Sequence, residues 1–204
     1  MKTVNTKVSP FAKRLQYSVI ALAMTACASH AVAQDQHAHP QTAETAEATA
    51  EQQAGADTLL KVVRQATERY QDVAVAQKEG YALNFGCVSG DDLGAMGLHY
   101  INGNLVNSGI LDPMHPQIII YEPTANGGKK LIGADFLVIA DQWNLTHSAP
   151  PELMGQLFHL FPSPNRFGLP AFYTLHVWAW KQNPKGAFTN WHPNVSCAPF
   201  APGK

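Results

Sequence analysis

Three histidines and one glutamate carry most of the chemistry open to this chain. His99, His159 and His176 fall on or beside predicted strands, and Glu122 ends another. Imidazole nitrogen and carboxylate oxygen are the donors that bind Zn, Cu, Fe or Mn. If the four met at one point they would form a transition-metal site. With an open position, the ion could activate water or dioxygen. The sequence holds no His-Glu-x-x-His and no His-x-His in the part expected to fold, so the four can converge only through strand pairing. His115, His147 and His192 sit in turns or polar loops and are expected to be exposed.

The strongest positioning element is Phe172-Tyr-Thr-Leu-His-Val-Trp-Ala-Trp180, rich in aromatic and β-branched residues. Alternation puts Tyr173, Leu175, Val177 and Ala179 on one face and Thr174, His176, Trp178 and Trp180 on the other. The second face sets an imidazole among indoles. Tyr100, Trp178 and Trp180 are the residues expected to line an apolar pocket for a small-molecule ligand. Residues 96–102 read as a strand with His99 and Ile101 on one face. Residues 117–122 place Ile118, Ile120 and Glu122 together. The hairpin turn Asn126-Gly-Gly128 leads into a third strand over 130–140. Ahead of these, residues 57–79 carry an apolar stripe at helical spacing, with Asp57 as N-cap and Gly80 after the end. Hairpin-length connections imply antiparallel pairing. The fold class is therefore α+β: a curved antiparallel β-sheet or half-barrel with one N-terminal amphipathic helix packed on it.

The chain has 204 residues, and only 14% are charged while 46% are hydrophobic, which suits one domain and excludes global disorder. Residues 1–33 read as a signal peptide. Lys2, Lys7, Lys13 and Arg14 precede a short apolar run, and Ala31-Val-Ala33 is a cleavage site. The alternative is a lipoprotein signal ending at Cys27. Residues 34–56 read as a disordered linker of Ala, Thr, Glu and Gln, and 57–204 as the single globular domain. Removing the signal leaves 10 basic against 15 acidic residues, a formal charge of -5. An acidic exported chain suits neither nucleic acid nor anionic lipid, and no apolar run is long enough to span a bilayer. A periplasmic or secreted location favours a disulfide between the two remaining cysteines, Cys87 and Cys197. Oligomeric state is not encoded in any feature of the sequence.

No Gly-x-Ser-x-Gly, phosphate-binding loop or Gly-x-Gly-x-x-Gly occurs. Five groups of residues recur in order: Met96-Gly-x-His-Tyr-Ile-Asn102, Tyr121-Glu-Pro123, Phe158-His-Leu160, Leu175-His-Val-Trp178 with Asn183-Pro-x-Gly-x-Phe188, and Trp191 with a closing Val-Ser-Cys197. Together they resemble a family of small exported, mostly bacterial proteins of uncharacterised function. The resemblance implies no activity. It does imply that His99, Glu122, His159 and His176 belong to the family pattern, while the counterparts of His115 and His192 are commonly Arg and Asn. Two readings stand. In one the protein is an exported metal-binding protein with a three-His, one-Glu site beside a tryptophan-lined pocket, and an open position would make it a metalloenzyme for a small apolar or aromatic substrate. In the other it is a metal-free periplasmic small-molecule-binding or structural protein.

Overall fold

The computed structural model describes residues 48–200. The expected signal peptide, Cys27 and linker residues 34–47 lie outside the described residues. The first helix, α1 (Ala50–Thr67), begins seven residues before the predicted start. Thr49 is the N-cap. Its hydroxyl accepts from the Gln52 amide, and the Gln52 side chain accepts in return from the Thr49 amide. The Ala, Glu and Gln composition read as linker is also good helix-forming composition, which a capping box can start. One 3-10 turn, Glu68–Gln71, then interrupts the predicted single helix. Asp72 caps α2 (Val73–Lys78) by accepting from the Ala74 amide at 2.9 Å.

The strands are β1 (Ala82–Gly90), β2 (Gly94–Ile101), β3 (Ile118–Pro123), β4 (Lys129–Ile139), a two-residue pair β5 (Glu152–Leu153) and β6 (Gln156–Leu157), β7 (His159–Phe161) and β8 (Phe172–Val177). Short helices α3 (Gly103–Ser108) and α4 (Ala140–Asn144) lie between β2 and β3 and after β4. The main sheet runs β1-β2-β3-β4-β8-β7, antiparallel throughout, and curls into a half-barrel. The predicted α+β class is the observed one.

Alternation along the strands builds two cores. Leu98, Ile119, Phe136 and Leu175 face α1 and bury its Leu59 and Val63. Each such side chain contributes roughly 1.5–3 kcal/mol by leaving water. Ile118, Ile120, Ile132, Leu137 and Phe172 form the second core on the opposite face. Phe167 and Leu169, from the loop before β8, pack onto it, as does Val195 of the C-terminal tail.

The expected Cys87–Cys197 disulfide is present and ties β1 to that tail across 110 residues of sequence. Closing so long a loop is worth about 4–5 kcal/mol in the loop-entropy account. The tail also returns to β2 through paired backbone bonds between Ala95 and His192, each 3.2 Å. Gly94, at φ +83, faces the His192 carbonyl where any side chain would collide. This docking buries His192 completely, against the exposure expected for it. Its Nδ1 accepts from the Asn194 amide, and Nε2 lies 3.1 Å from the Gln182 carbonyl, so both nitrogens are satisfied by backbone.

Candidate metal centre

The central strands bring three titratable side chains to one point on the second face: His99 from β2, Asp135 from β4 and His176 from β8. Each offers a ligand atom, and these atoms all lie within 4.8 Å of one another. Asp135 and His176 are direct cross-strand partners, so their meeting follows from register alone. His99 is the informative member. Two strands separate β2 from β8, and on a flat sheet that would put them about 14 Å apart. The two imidazole centroids are 5.7 Å apart. Curling of the sheet toward this face closes the rings over the carboxylate.

All three residues are buried, at 5%, 3% and 2% exposure for His99, Asp135 and His176. The His99 Nδ1 lies 3.1 Å from the Gly97 carbonyl. A carbonyl only accepts, so Nδ1 carries the hydrogen and Nε2 keeps its lone pair. A ring fixed in this way by backbone is typical support for a metal ligand. Asp135 Oδ1 accepts from the Thr174 hydroxyl at 2.6 Å, which orients the carboxylate. His176 has no such support. Its Nδ1 is 3.7 Å from Asp135 Oδ1, too long for a hydrogen bond. Neither ring nitrogen makes a hydrogen bond of full geometry among the described residues, nor does Oδ1 of the half-buried Asn190, although the Asn190 side chain stands near enough to the ring to favour its protonated form. Trp178 stacks beside the His176 ring, with centroids 5.9 Å apart.

Burial sets the charges. It lowers His99 to about 4, with His176 adding to the effect, and lowers His176 to about 3. It raises Asp135 to about 6, opposed by the Thr174 hydrogen bond and by His99. At neutral pH the group is thus one carboxylate between two neutral imidazoles. Donors bound about 2.0–2.2 Å from a common ion stand roughly 3–4 Å from each other, and 3.7 Å lies in that range. A cavity of about 30 Å³ adjoins the group. Its walls are apolar, including Met96, Ile118, Leu137, Phe161, Phe167 and Phe172.

The structure brings together two of the four residues singled out from sequence, His99 and His176. Glu122 stands apart from this group. Its carboxylate takes both oxygens to Lys181 Nζ, at 2.8 and 2.7 Å, near the end of β3. His159 pairs with Thr174 across β7 and β8 and so shares the correct face, but on the edge strand it is exposed and outside the group. Asp135, which sequence reasoning passed over, supplies the carboxylate. Its signal was a lone acid in the middle of the apolar run Leu131-Ile-Gly-Ala-Asp-Phe-Leu-Val-Ile139.

The expected pocket of Tyr100, Trp178 and Trp180 does not form as one surface. Tyr100 is buried in the helix-side core against Tyr121, and Trp178 lies in the second core. The strand ends at Val177, where the Ala179 amide bonds the Val177 carbonyl at 2.9 Å in a three-residue turn. That turn breaks the alternation and sends Trp180 to the helix, where its indole N–H donates to Thr67 Oγ1 at 2.9 Å. Phenylalanines line the cavity instead.

Fold and site together define an α+β protein with a buried two-histidine, one-carboxylate group that could hold a metal ion. Compared with protein-family models, with curated proteins and with solved structures, the chain matches none. Among the described residues no helix is long and apolar enough to cross a membrane.

Proposed function

We propose that this chain is an exported metal-binding protein whose ion is held by His99 Nε2, Asp135 and His176, with a coordination position open to the phenylalanine-walled cavity. The observation that supports this most is the unsatisfied polarity. The buried carboxylate accepts from the Thr174 hydroxyl and from the Phe136 and Leu175 amides, but the ionisable groups facing it are the neutral imidazoles of His99 and His176, and neither His176 nitrogen makes a full hydrogen bond. Leaving such groups uncompensated in an apolar core is costly. A divalent cation supplies the missing charge and takes the lone pairs. Two imidazoles and one carboxylate suit Fe(II), Mn(II) or Zn(II), and the absence of a thiolate disfavours Cu(I). Three protein ligands with an open position are the common ground of oxygen-activating and hydrolytic metal sites. Export is supported by the basic, apolar and Ala-x-Ala features of residues 1–33 and by the Cys87–Cys197 bridge. His99 and His176 both lie within the residue groups that resemble the family of small exported proteins, and we place the chain there.

A proton in place of the ion gives the competing reading, a buried His176–Asp135 ion pair. The 3.7 Å separation and the strongly lowered His176 weigh against it. Thermal unfolding with added Fe(II), Mn(II) or Zn(II), and then with chelator, separates the two. A ligand that binds only the folded state raises Tm with concentration. The metal reading expects that rise in the native protein and its loss in Asp135→Asn; equal Tm values with and without every metal would refute it.

A further inference from the structure

This inference rests on the metal reading above and concerns what holds His176 in place. Among the described residues three buried side-chain atoms make no full hydrogen bond: His176 Nδ1, His176 Nε2 and Asn190 Oδ1. A neutral imidazole that gives one lone pair to an ion carries its hydrogen on the other nitrogen, and a ligating ring almost always donates that hydrogen to an acceptor. For His99 the Gly97 carbonyl fills that place. Asp135 is itself a ligand in this reading, so His176 needs another acceptor. The Asn190 side chain stands within reach of the ring and favours its protonated form, as an acceptor does. One ion and one hydrogen bond would satisfy all three atoms.

Loop asparagines commonly spend the side-chain oxygen on nearby backbone. Asn183 Oδ1 accepts from the Lys185 amide at 3.0 Å, and Asn165 Oδ1 from the Phe167 amide at 3.1 Å. Asn190 Oδ1 has no such bond. Its place is nonetheless fixed from both sides. Trp178, which stacks beside the His176 ring, donates its backbone amide to the Ala187 carbonyl at 3.0 Å and its indole N–H to the Thr189 carbonyl at 2.6 Å. The side-chain amide of buried Asn183 donates to Thr189 Oγ1 at 3.0 Å and to the Trp191 carbonyl at 2.9 Å. Both chain neighbours of Asn190 are therefore tied to the segment that follows β8. We propose that Asn190 is a positioning residue of this centre: its Oδ1 accepts the N–H of His176 while the other ring nitrogen binds the ion.

The test uses the mature protein, exported natively and loaded with Co(II), which takes the same imidazole and carboxylate donors. Cobalt uptake is assayed first. Proton NMR of the paramagnetic protein in water then reads the N–H of each ligating imidazole as a shifted, solvent-exchangeable signal, and chelator competition reads affinity. The native protein should show one such signal from His99, the internal reference, and one from His176. Asn190→Ala should shift or lose the His176 signal alone and bind Co(II) about 10–100-fold more weakly. Asn190→Asp, which keeps an acceptor oxygen, should keep both signals and bind at least as tightly as the native protein. Native affinity or an undisturbed pair of signals in Asn190→Ala would overturn the proposal, as would an Asn190→Asp protein as weak as the alanine variant. Native protein that takes up no cobalt would instead overturn the metal reading beneath it, and the uptake assay distinguishes that failure.

Discussion

The two faces of the sheet handle buried polar atoms in opposite ways. On the helix side three hydroxyl or indole groups find protein partners. Tyr81 donates to the Pro116 carbonyl at 2.8 Å, Tyr121 to the Tyr70 carbonyl at 2.8 Å, and Trp180 to Thr67. Those groups complete the fold and ask for nothing else. On the other face the His176 ring nitrogens, beside a buried carboxylate, and the Asn190 amide oxygen, near that ring, make no full hydrogen bond. Natural cores seldom leave such atoms unpaired unless the site has a further use. The contrast separates a face built for stability from one built around a ligand.

The largest expected effect lies on the helix side. Phe136 is fully buried there, and Phe136→Ala should cost about 3–5 kcal/mol in urea unfolding, while the folded fraction keeps its metal. A comparable loss of metal affinity in folded Phe136→Ala protein would show that the faces are not separable.

The next effect is acid sensitivity of the metal-free protein. His99 and His176 are lowered to about 4 and about 3, so the stability they contribute is full above their ordinary 6.5 and is lost as pH falls through those values. Asp135, raised to about 6 from 3.8, acts oppositely: its contribution is full below 3.8 and is lost as pH rises through 6. Between pH 6 and 4 unfolding therefore takes up about one proton net, a slope of about 1.4 kcal/mol per pH unit. Asp135→Asn removes the opposing group and should make that slope about twice as steep. Urea titrations at several pH values read both slopes, and equal slopes would contradict the assigned charges.

A smaller change is expected from Thr174→Val, which removes the hydroxyl holding Asp135. Metal affinity should fall by about 10–100-fold with the fold intact. The smallest effects belong to Glu122→Gln and His159→Ala. Both should retain full metal content and lie within about 1 kcal/mol of native stability. Metal loss in either variant would return that residue to the site.

Period-two alternation made His99 and His176 legible as candidates, and hairpin signals made the curled antiparallel sheet legible with them. Alternation gives the side of a strand but not the position along it. Glu122 has the same parity as Ile118 and Ile120, yet it lies toward the end of β3, where Lys181 meets it. His159 has the right face but the wrong strand, because its edge position appears only in the strand order. Asp135 was hidden by the apolar company that makes it matter. Trp180 and His192 were misplaced by a three-residue turn and by a long-range backbone pair, neither of which leaves a periodic mark in sequence.

The central claim is that His99, Asp135 and His176 share one ion. Elemental analysis of the mature protein, exported natively and purified without an affinity tag, tests it most directly when run beside His176→Ala and Asp135→Asn. The account predicts about one equivalent of a transition metal in the native protein and little in either variant, since each removes one of the three ligands. No metal in the native protein after reloading with Fe(II), Mn(II) and Zn(II), or full metal in both variants, would contradict it.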